Sequence, residues 1–169
     1  DPDINSSTLI NREDKWRGIF GQSNSSQAHL NNKGVSKGDI FLFFGWFRDA
    51  IKTKSGYKFI PGTDKHIIWG YLQVDEVEKI DSNKNYSSWK CKHPHYYYRN
   101  RLNNTAYISS DSLSFNNDIK GCGIFKYNDF LVLTDANQSN RSTWRLPKYF
   151  HPREGTKVSF HEKLYTKSN

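Results

Sequence analysis

Two segments dominate the pattern of apolar and polar positions. Gly38 to Arg48 reads Gly-Asp-Ile-Phe-Leu-Phe-Phe-Gly-Trp-Phe-Arg, and His66 to Val74 reads His-Ile-Ile-Trp-Gly-Tyr-Leu-Gln-Val. Bulky residues fall at both odd and even positions, so each segment predicts a central strand with no solvated face. Each also holds an interior glycine, Gly45 and Gly70. A glycine there marks a bulge, a barrel bend or a place where a ligand comes close. Before the first strand, Ser23 or Asn24 caps a predicted helix from Ser25 to Asn32, and Gly34 stops it. Between the strands, Lys52 to Gly62 predicts a hairpin that turns at Lys54-Ser55-Gly56.

Beyond Ile80 the pattern weakens. Residues 81–104 are polar without a period, which predicts a long functional loop. Short strands are expected at Ala106 to Ile108, Gly121 to Phe125 and Asp129 to Thr134, then a helical turn from Ser142 and a last strand over Lys157 to His161. Residues 1–18 read as loop or short helix. The sum is an α+β, mainly β chain of about six or seven strands with one or two short helices, most simply closed as a small mixed β-barrel.

Composition changes this picture in two ways. Only 35% of residues are hydrophobic and mean hydropathy is −0.86, which raises the question of disorder. The 15% aromatic fraction answers it, because each ring buries about 150–250 Å² and can build a core with few aliphatics. The net charge of +8 is also lopsided. Residues 1–87 carry 12 Lys+Arg against 11 Asp+Glu, whereas residues 88–169 carry 13 against 6. A basic second half suits a polyanion, most simply nucleic acid, although a basic tail also serves solubility. Cys91 and Cys122 fit free thiols or one bridge, but not a zinc ribbon. No signal peptide or long apolar run is present, so a cytoplasmic location is expected, with no membrane partner. The chain begins Asp-Pro-Asp and contains no Met, which reads as a fragment or a processed chain.

Candidate chemistry is thin for catalysis. Gly-x-Ser-x-Gly, a P-loop and the zinc deaminase signature are all absent. Cys122, between Gly121 and Gly123, reads as a packed strand cysteine rather than a nucleophile. The acid/base candidates are His29, His93, His95 and His161. If His93-Pro94-His95 lies in a strand, both rings point the same way, but spacing suggests no third ligand. No metal and no cofactor are expected.

Binding has more to stand on. Trp46, Trp69, Tyr71 and Trp144 are candidate stacking surfaces, each competing with a place in the core. Gln22, Gln27 and Gln73 offer the paired donor and acceptor that read a base edge. Two stretches interleave cations with aromatic rings. Lys90 to Arg101 supplies Lys90, Lys92, Arg99 and Arg101, and Arg141 to Tyr149 supplies Arg141 and Arg145. With Arg48, these are the candidate phosphate contacts.

Two resemblances follow. The order of helix, Gly38-Asp39 with an apolar strand, hairpin, and strand ending Gln73-Val74-Asp75-Glu76-Val77 resembles the PUA-like superfamily, including ASCH and EVE domains, over residues 25–80. The second likeness runs along nearly the whole chain. Phe20-Gly21-Gln22, Gln27-Ala28-His29-Leu30, the two aromatic strands, His93-Pro94-His95, Asn104-Thr105-Ala106-Tyr107, Gly121-x-Gly123-x-Phe125, Ser142-x-Trp144-x-Leu146-Pro147 and Ser159-Phe160-His161 are similar to the nucleotide modification associated domain 3 family of bacteria and their phages. The resemblance implies a single PUA-like domain over 1–169, lacking an N-terminal segment found in the family. It also implies an association with DNA base modification or phage defence, without naming a reaction. The expectation is a module that holds a flipped, modified base between Trp46 and Trp69 while basic residues meet the nucleic acid. The alternative is an enzyme acting on a nucleotide or modified base through its histidines. A weaker third reading is an interaction domain of a larger modification or defence complex.

Overall fold

The computed structural model describes residues 12–13, 15–137 and 140–146, and a strand at 165–166. The chain gathers into two compact units. One comprises residues 1–42 and 70–125, the other 43–69 and 126–169. It is mainly β with three short helices, and the principal sheet is a curled half-barrel.

In the principal sheet β1 (Ile19–Gln22), β6 (Thr105–Ser109), β5 (Lys65–Lys79) and β2 (Ile40–Phe47) lie side by side in that order, and β9 (Cys122–Ile124) also pairs with β5. β5 runs for 15 residues, long enough to pair antiparallel with β9 through Gly70 to Leu72 and then with β6 through Val74 to Lys79. A register shift between Val74 and Glu76 interrupts the second pairing. Such a bulge re-aims a side chain. Asp75, at the shift, meets Arg17 at 2.7 Å and Lys37 at 2.7 Å. β6 is buried along its whole length because it has a strand on either side.

Alternation sorts the residues of this sheet onto two faces. Ile19, Ala106 and Ile108 join Ile80 and Tyr96 in a core, against which Tyr86 and Trp89 pack. On the other face Phe20, Phe41 and Tyr107 form a ring cluster, with centroids 4.8 Å apart for Phe20–Phe41 and 5.0 Å for Phe41–Tyr107. Helix α1 (Asn24–Asn32) follows β1, and its buried Gln27 donates to the Tyr107 hydroxyl at 2.8 Å. Ser23 is its N-cap residue and Gly34 adopts a φ of +69° beyond its end, matching the helix expected from sequence.

In the second unit, β3 (Ala50–Thr53) and β4 (Gly56–Phe59) form the expected hairpin, with Gly56 at a φ of +137°. The first half of β5 is bonded to the segment near residue 133. Ile67 bridges Val132, and the Leu133 amide donates to the His66 carbonyl at 2.8 Å.

Several expectations are corrected. β2 is not buried on both faces. It ends the strand order, and Ile40, Leu42, Phe44 and Trp46 are each about 40–50% exposed or slightly more. Residues 81–104 are not structureless, since they hold α2 (Ser88–Cys91) and α3 (Pro94–Tyr97). His93 and His95 are therefore on the entry to a helix, not in a strand; Pro94 fixes the first helical position. Asp129–Leu131 is a single 3-10 turn capped by Asn128, not part of a strand, although Val132 and Thr134 make isolated bridges. The segment after Ser142 forms β10 (Trp144–Arg145), not a helical turn, and pairs with β11 (Tyr165–Thr166). β1 and the hairpin of β7 (Ser112–Leu113) with β8 (Asn116–Lys120) were not foreseen. The strand expected at Lys157 to His161 lies outside the described residues. Both cysteines are free thiols. Among the described residues, no helix is long and apolar enough to cross a membrane.

Candidate nucleotide site

Three residues proposed from sequence converge in the second unit. Trp46 leaves β2 as a residue 53% exposed. The Arg48 guanidinium lies 4.6 Å from the ring centroid and the Arg141 guanidinium 4.1 Å from it. Strand alternation places Trp46 and Arg48 on the same face. Arg141 arrives from the turn before β10, held by its carbonyl, which accepts from the Thr134 hydroxyl at 2.7 Å.

Asp64 anchors the group. Its Oδ1 accepts from Trp46 Nε1 at 2.5 Å and from Arg48 Nε at 2.7 Å. The Arg48 hydrogen bond holds the Asp64 carboxyl below its ordinary range, with burial acting in the opposite sense and the Trp46 indole N–H adding to the lowering. One carboxylate thus faces two guanidiniums. Arg48 engages only its Nε in this bond, which leaves its two terminal amino groups for another acceptor. Arg141 Nε is buried and has no hydrogen-bond partner among the described residues. A buried guanidinium donor without an acceptor is costly, and a bound anion relieves it.

Behind this cluster, Trp144 Nε1 donates to His66 Nδ1 at 3.0 Å, and Phe44 packs against both rings at 5.3 Å from His66 and 4.8 Å from Trp144. Burial lowers the His66 pKa, and the charge of Arg141 lowers it further. Accepting the indole proton at Nδ1 places the hydrogen of neutral His66 on Nε2. Trp144 therefore supports the cluster through an aromatic and hydrogen-bonded layer.

Trp69 is elsewhere. It stacks on Phe43 at 5.5 Å, and a Cβ built on Gly45 would meet its Cδ1 and Nε1 at 3.5 Å. Gly45 points to the face opposite Trp46, so the two tryptophans do not form two walls of one pocket. The tighter neighbour at Gly45 is the Phe47 ring, whose Cε2 a Cβ would meet at 3.1 Å.

The remaining candidates, Arg145 apart, fall in the first unit. The Gln73 amide is engaged at both ends, donating to the Gly38 carbonyl and Ser114 Oγ and accepting from the Ser114 amide. Tyr71 donates to the Lys120 carbonyl at 3.1 Å and packs against Phe125. Gln22 is half-buried at the end of β1, and Gln27 is fully buried. Among the proposed phosphate contacts, Lys90 pairs with Glu78 at 2.7 Å, Lys92 with Glu13 at 3.1 Å, and Arg99 donates to the Tyr96 and Lys84 carbonyls. Arg101 lies over the exposed Tyr98 ring at 5.6 Å, and Arg145 is exposed on β10.

His29, His93 and His95 lie in the first unit. His29 is half-buried on α1. His93 is buried and accepts at Nδ1 from the His95 amide at 3.3 Å. Burial lowers its pKa to about 4, with a smaller contribution from His95. His95 Nδ1 lies 2.6 Å from Asn104 Oδ1. Among the described residues, no third metal-ligating side chain completes a group with this pair. His161 lies outside the described residues. Asp64 and Asn104 were missed as site residues. Asp64 carries no motif, and Asn104 appeared only within a stretch quoted for likeness.

The cluster sets two guanidiniums on a half-exposed indole, a combination of charge and aromatic surface. The chain belongs to the nucleotide modification associated domain 3 family, whose model matches residues 1–168. The family's name ties it to nucleotide modification. No curated protein and no solved structure matches the chain.

Proposed function

We propose that the protein binds a nucleotide or a nucleic-acid strand, with DNA as the first candidate, at the Trp46–Arg48–Arg141 cluster. The observation that carries this reading is the pair of guanidiniums on one half-exposed indole, of which Arg141 has a buried donor without an acceptor. A phosphate accepts from the terminal amino groups of Arg48 and from Arg141, while the aromatic surface takes the base. The guanidinium planes themselves serve as stacking surfaces, so a base need not displace them. The link to nucleotide modification makes a modified base the ligand to test first.

The experiment is fluorescence anisotropy with labelled oligonucleotides carrying normal, hydroxymethylated or glycosylated bases, single-stranded and duplex, at two salt concentrations. Arg141→Ala is expected to weaken binding to all sequences and reduce the salt slope by about 1. Trp46→Ala is expected to remove about 1–3 kcal/mol. A Trp46→Ala/Arg141→Ala protein that binds like the parent overturns the reading.

A further inference from the structure

The first unit contains a histidine whose proton positions are fixed by its surroundings. Asn104 Nδ2 donates to the His95 carbonyl at 2.9 Å and to the Tyr98 carbonyl at 3.4 Å. Two carbonyls on that side require the amide nitrogen there, so Asn104 Oδ1 is the atom that faces His95. An amide oxygen only accepts. The 2.6 Å contact therefore has His95 Nδ1–H as its donor, and in the neutral ring the lone pair sits on Nε2.

The ring is held in place as well as in tautomer. Its backbone N–H donates to His93 Nδ1, which caps α3. Its Cδ2 and Cγ lie against Gly21, where a Cβ would come within 2.3 and 2.4 Å of them. Only a glycine permits that approach. The neighbouring His93 is kept neutral by burial, so it places no positive charge beside His95 at neutral pH. His95 itself is half-buried, and no described residue hydrogen-bonds to its Nε2.

We propose that His95 is a proton-accepting residue of a second site, taking the ring N–H of a nucleobase lactam at Nε2, with Asn104 as its positioning residue. Nε2 first accepts a hydrogen bond from the lactam N–H. In a full transfer the N–H bond breaks, Nε2 gains the proton, and the imidazolium and the lactam anion form as a pair. Asn104 Oδ1 stabilises that imidazolium through Nδ1–H. The choice of a nucleobase rests on the nucleotide reading above. The tautomer and the basic atom rest only on the contacts around His95.

The test is two-bond ¹H–¹⁵N NMR on the full ¹⁵N-labelled chain, with thymidine and guanosine as probes and 3-methylthymidine as a control lacking the ring N–H. The expected result is an Nδ1–H tautomer for His95. Its Nε2 resonance should move with thymidine or guanosine, and at least tenfold less with 3-methylthymidine at equal concentration. Asn104→Ala should lose the tautomer preference. His95→Phe, which keeps a ring against Gly21, should abolish the thymidine response at the Gly21 amide. An Nε2–H tautomer in the parent overturns the proposal. So does an Nε2 resonance that ignores both nucleosides or responds equally to 3-methylthymidine. Loss of oligonucleotide binding in the Trp46→Ala and Arg141→Ala variants is read separately, in the second unit, so the two readings fail independently.

Discussion

Replacing Gly21 with alanine tests the packing around the histidine pair directly. Ordinarily a glycine in a strand is destabilising by about 0.5–1 kcal/mol relative to alanine, so the substitution would be expected to stabilise. Gly21 has no positive φ, which removes backbone strain from consideration. The new Cβ, however, would lie 2.3 Å from His95 Cδ2, 2.4 Å from His95 Cγ and 2.9 Å from His93 Cε1. These atoms do not belong to the free end of a flexible chain. His95 is tied to Asn104 at one ring atom and to α3 through its backbone, and His93 is buried. Relief requires β1 to part from α3 or His95 to leave Asn104. Overpacking of this kind costs about 1–3 kcal/mol, which outweighs the alanine gain. For a chain of this length that is a fall of about 2–12 °C in Tm, at about 2–4 °C per kcal/mol. The assay is thermal unfolding by circular dichroism, repeated in a His95→Ala background. There the main obstruction is gone and the Gly21→Ala penalty should shrink, giving a coupling of about 0.5–3 kcal/mol. A Gly21→Ala protein that melts at or above the parent, or a penalty unchanged by His95→Ala, refutes the reasoning.

Two further predictions concern buried charge. His93 titrates near 4 when folded against an ordinary 6.5, so the unfolded chain binds more protons in that window and stability falls as pH drops from 6.5 toward 4. The loss is about 3 kcal/mol over the window, and His93→Asn, which keeps a helix cap, should flatten that stretch of a urea-stability profile against pH. For Glu78, burial alone would raise the carboxyl pKa, but the hydrogen bonds from Lys90, Tyr96 and Lys84 together hold it below its ordinary value. Lys90 and Glu78 side chains are only 13% and 10% exposed, so Lys90→Met should cost about 3–5 kcal/mol in urea unfolding, and a change under about 1 kcal/mol would show that the pair is dispensable.

How far the sequence reveals this fold depends on element length. β5 is legible because its apolar run is long and continuous. Helix α1 and the β3–β4 hairpin are legible because Gly34 and Gly56 punctuate them at positive φ. β1 has only Ile19 and Phe20 as apolar residues before Gly21, too few for a period, and its place beside β6 comes from long-range pairing. Helices α2 and α3 have four residues each, about one turn, which carries no 3.6-residue repeat. The burial of β2 was misjudged because large apolar residues occupy both of its faces, while only one is covered. Residue types at the candidate site were legible, since Trp46, Arg48 and Arg141 were all singled out. Their meeting was not, because it depends on Asp64, which lies 16 residues from Arg48 and has no local signature.

The basic bias of the second half has a different meaning once its partners are known. Lys90 and Lys92 are paired with carboxylates of the first half, and Arg99 is bonded to backbone carbonyls. The charges of Lys90 and Lys92 are compensated locally, and Arg99 is committed to tying residues 84–99 together. The chain's excess of +7 beyond residue 87 is therefore a poor measure of the charge a nucleic acid would meet. Arg48, which comes from the near-neutral first half, and Arg141 are the two cations on the indole with donors still to satisfy. A site built on two guanidiniums predicts a salt slope near −1.4 for a single strand, at about −0.7 per phosphate neutralised, whereas seven engaged cations would predict about −5. The same anisotropy titrations distinguish these values. A shallow slope that flattens further on removing Arg141 localises binding to the indole cluster. A steep slope indifferent to Arg48 and Arg141 assigns it to the diffuse basic surface and removes the physical basis for a defined base site.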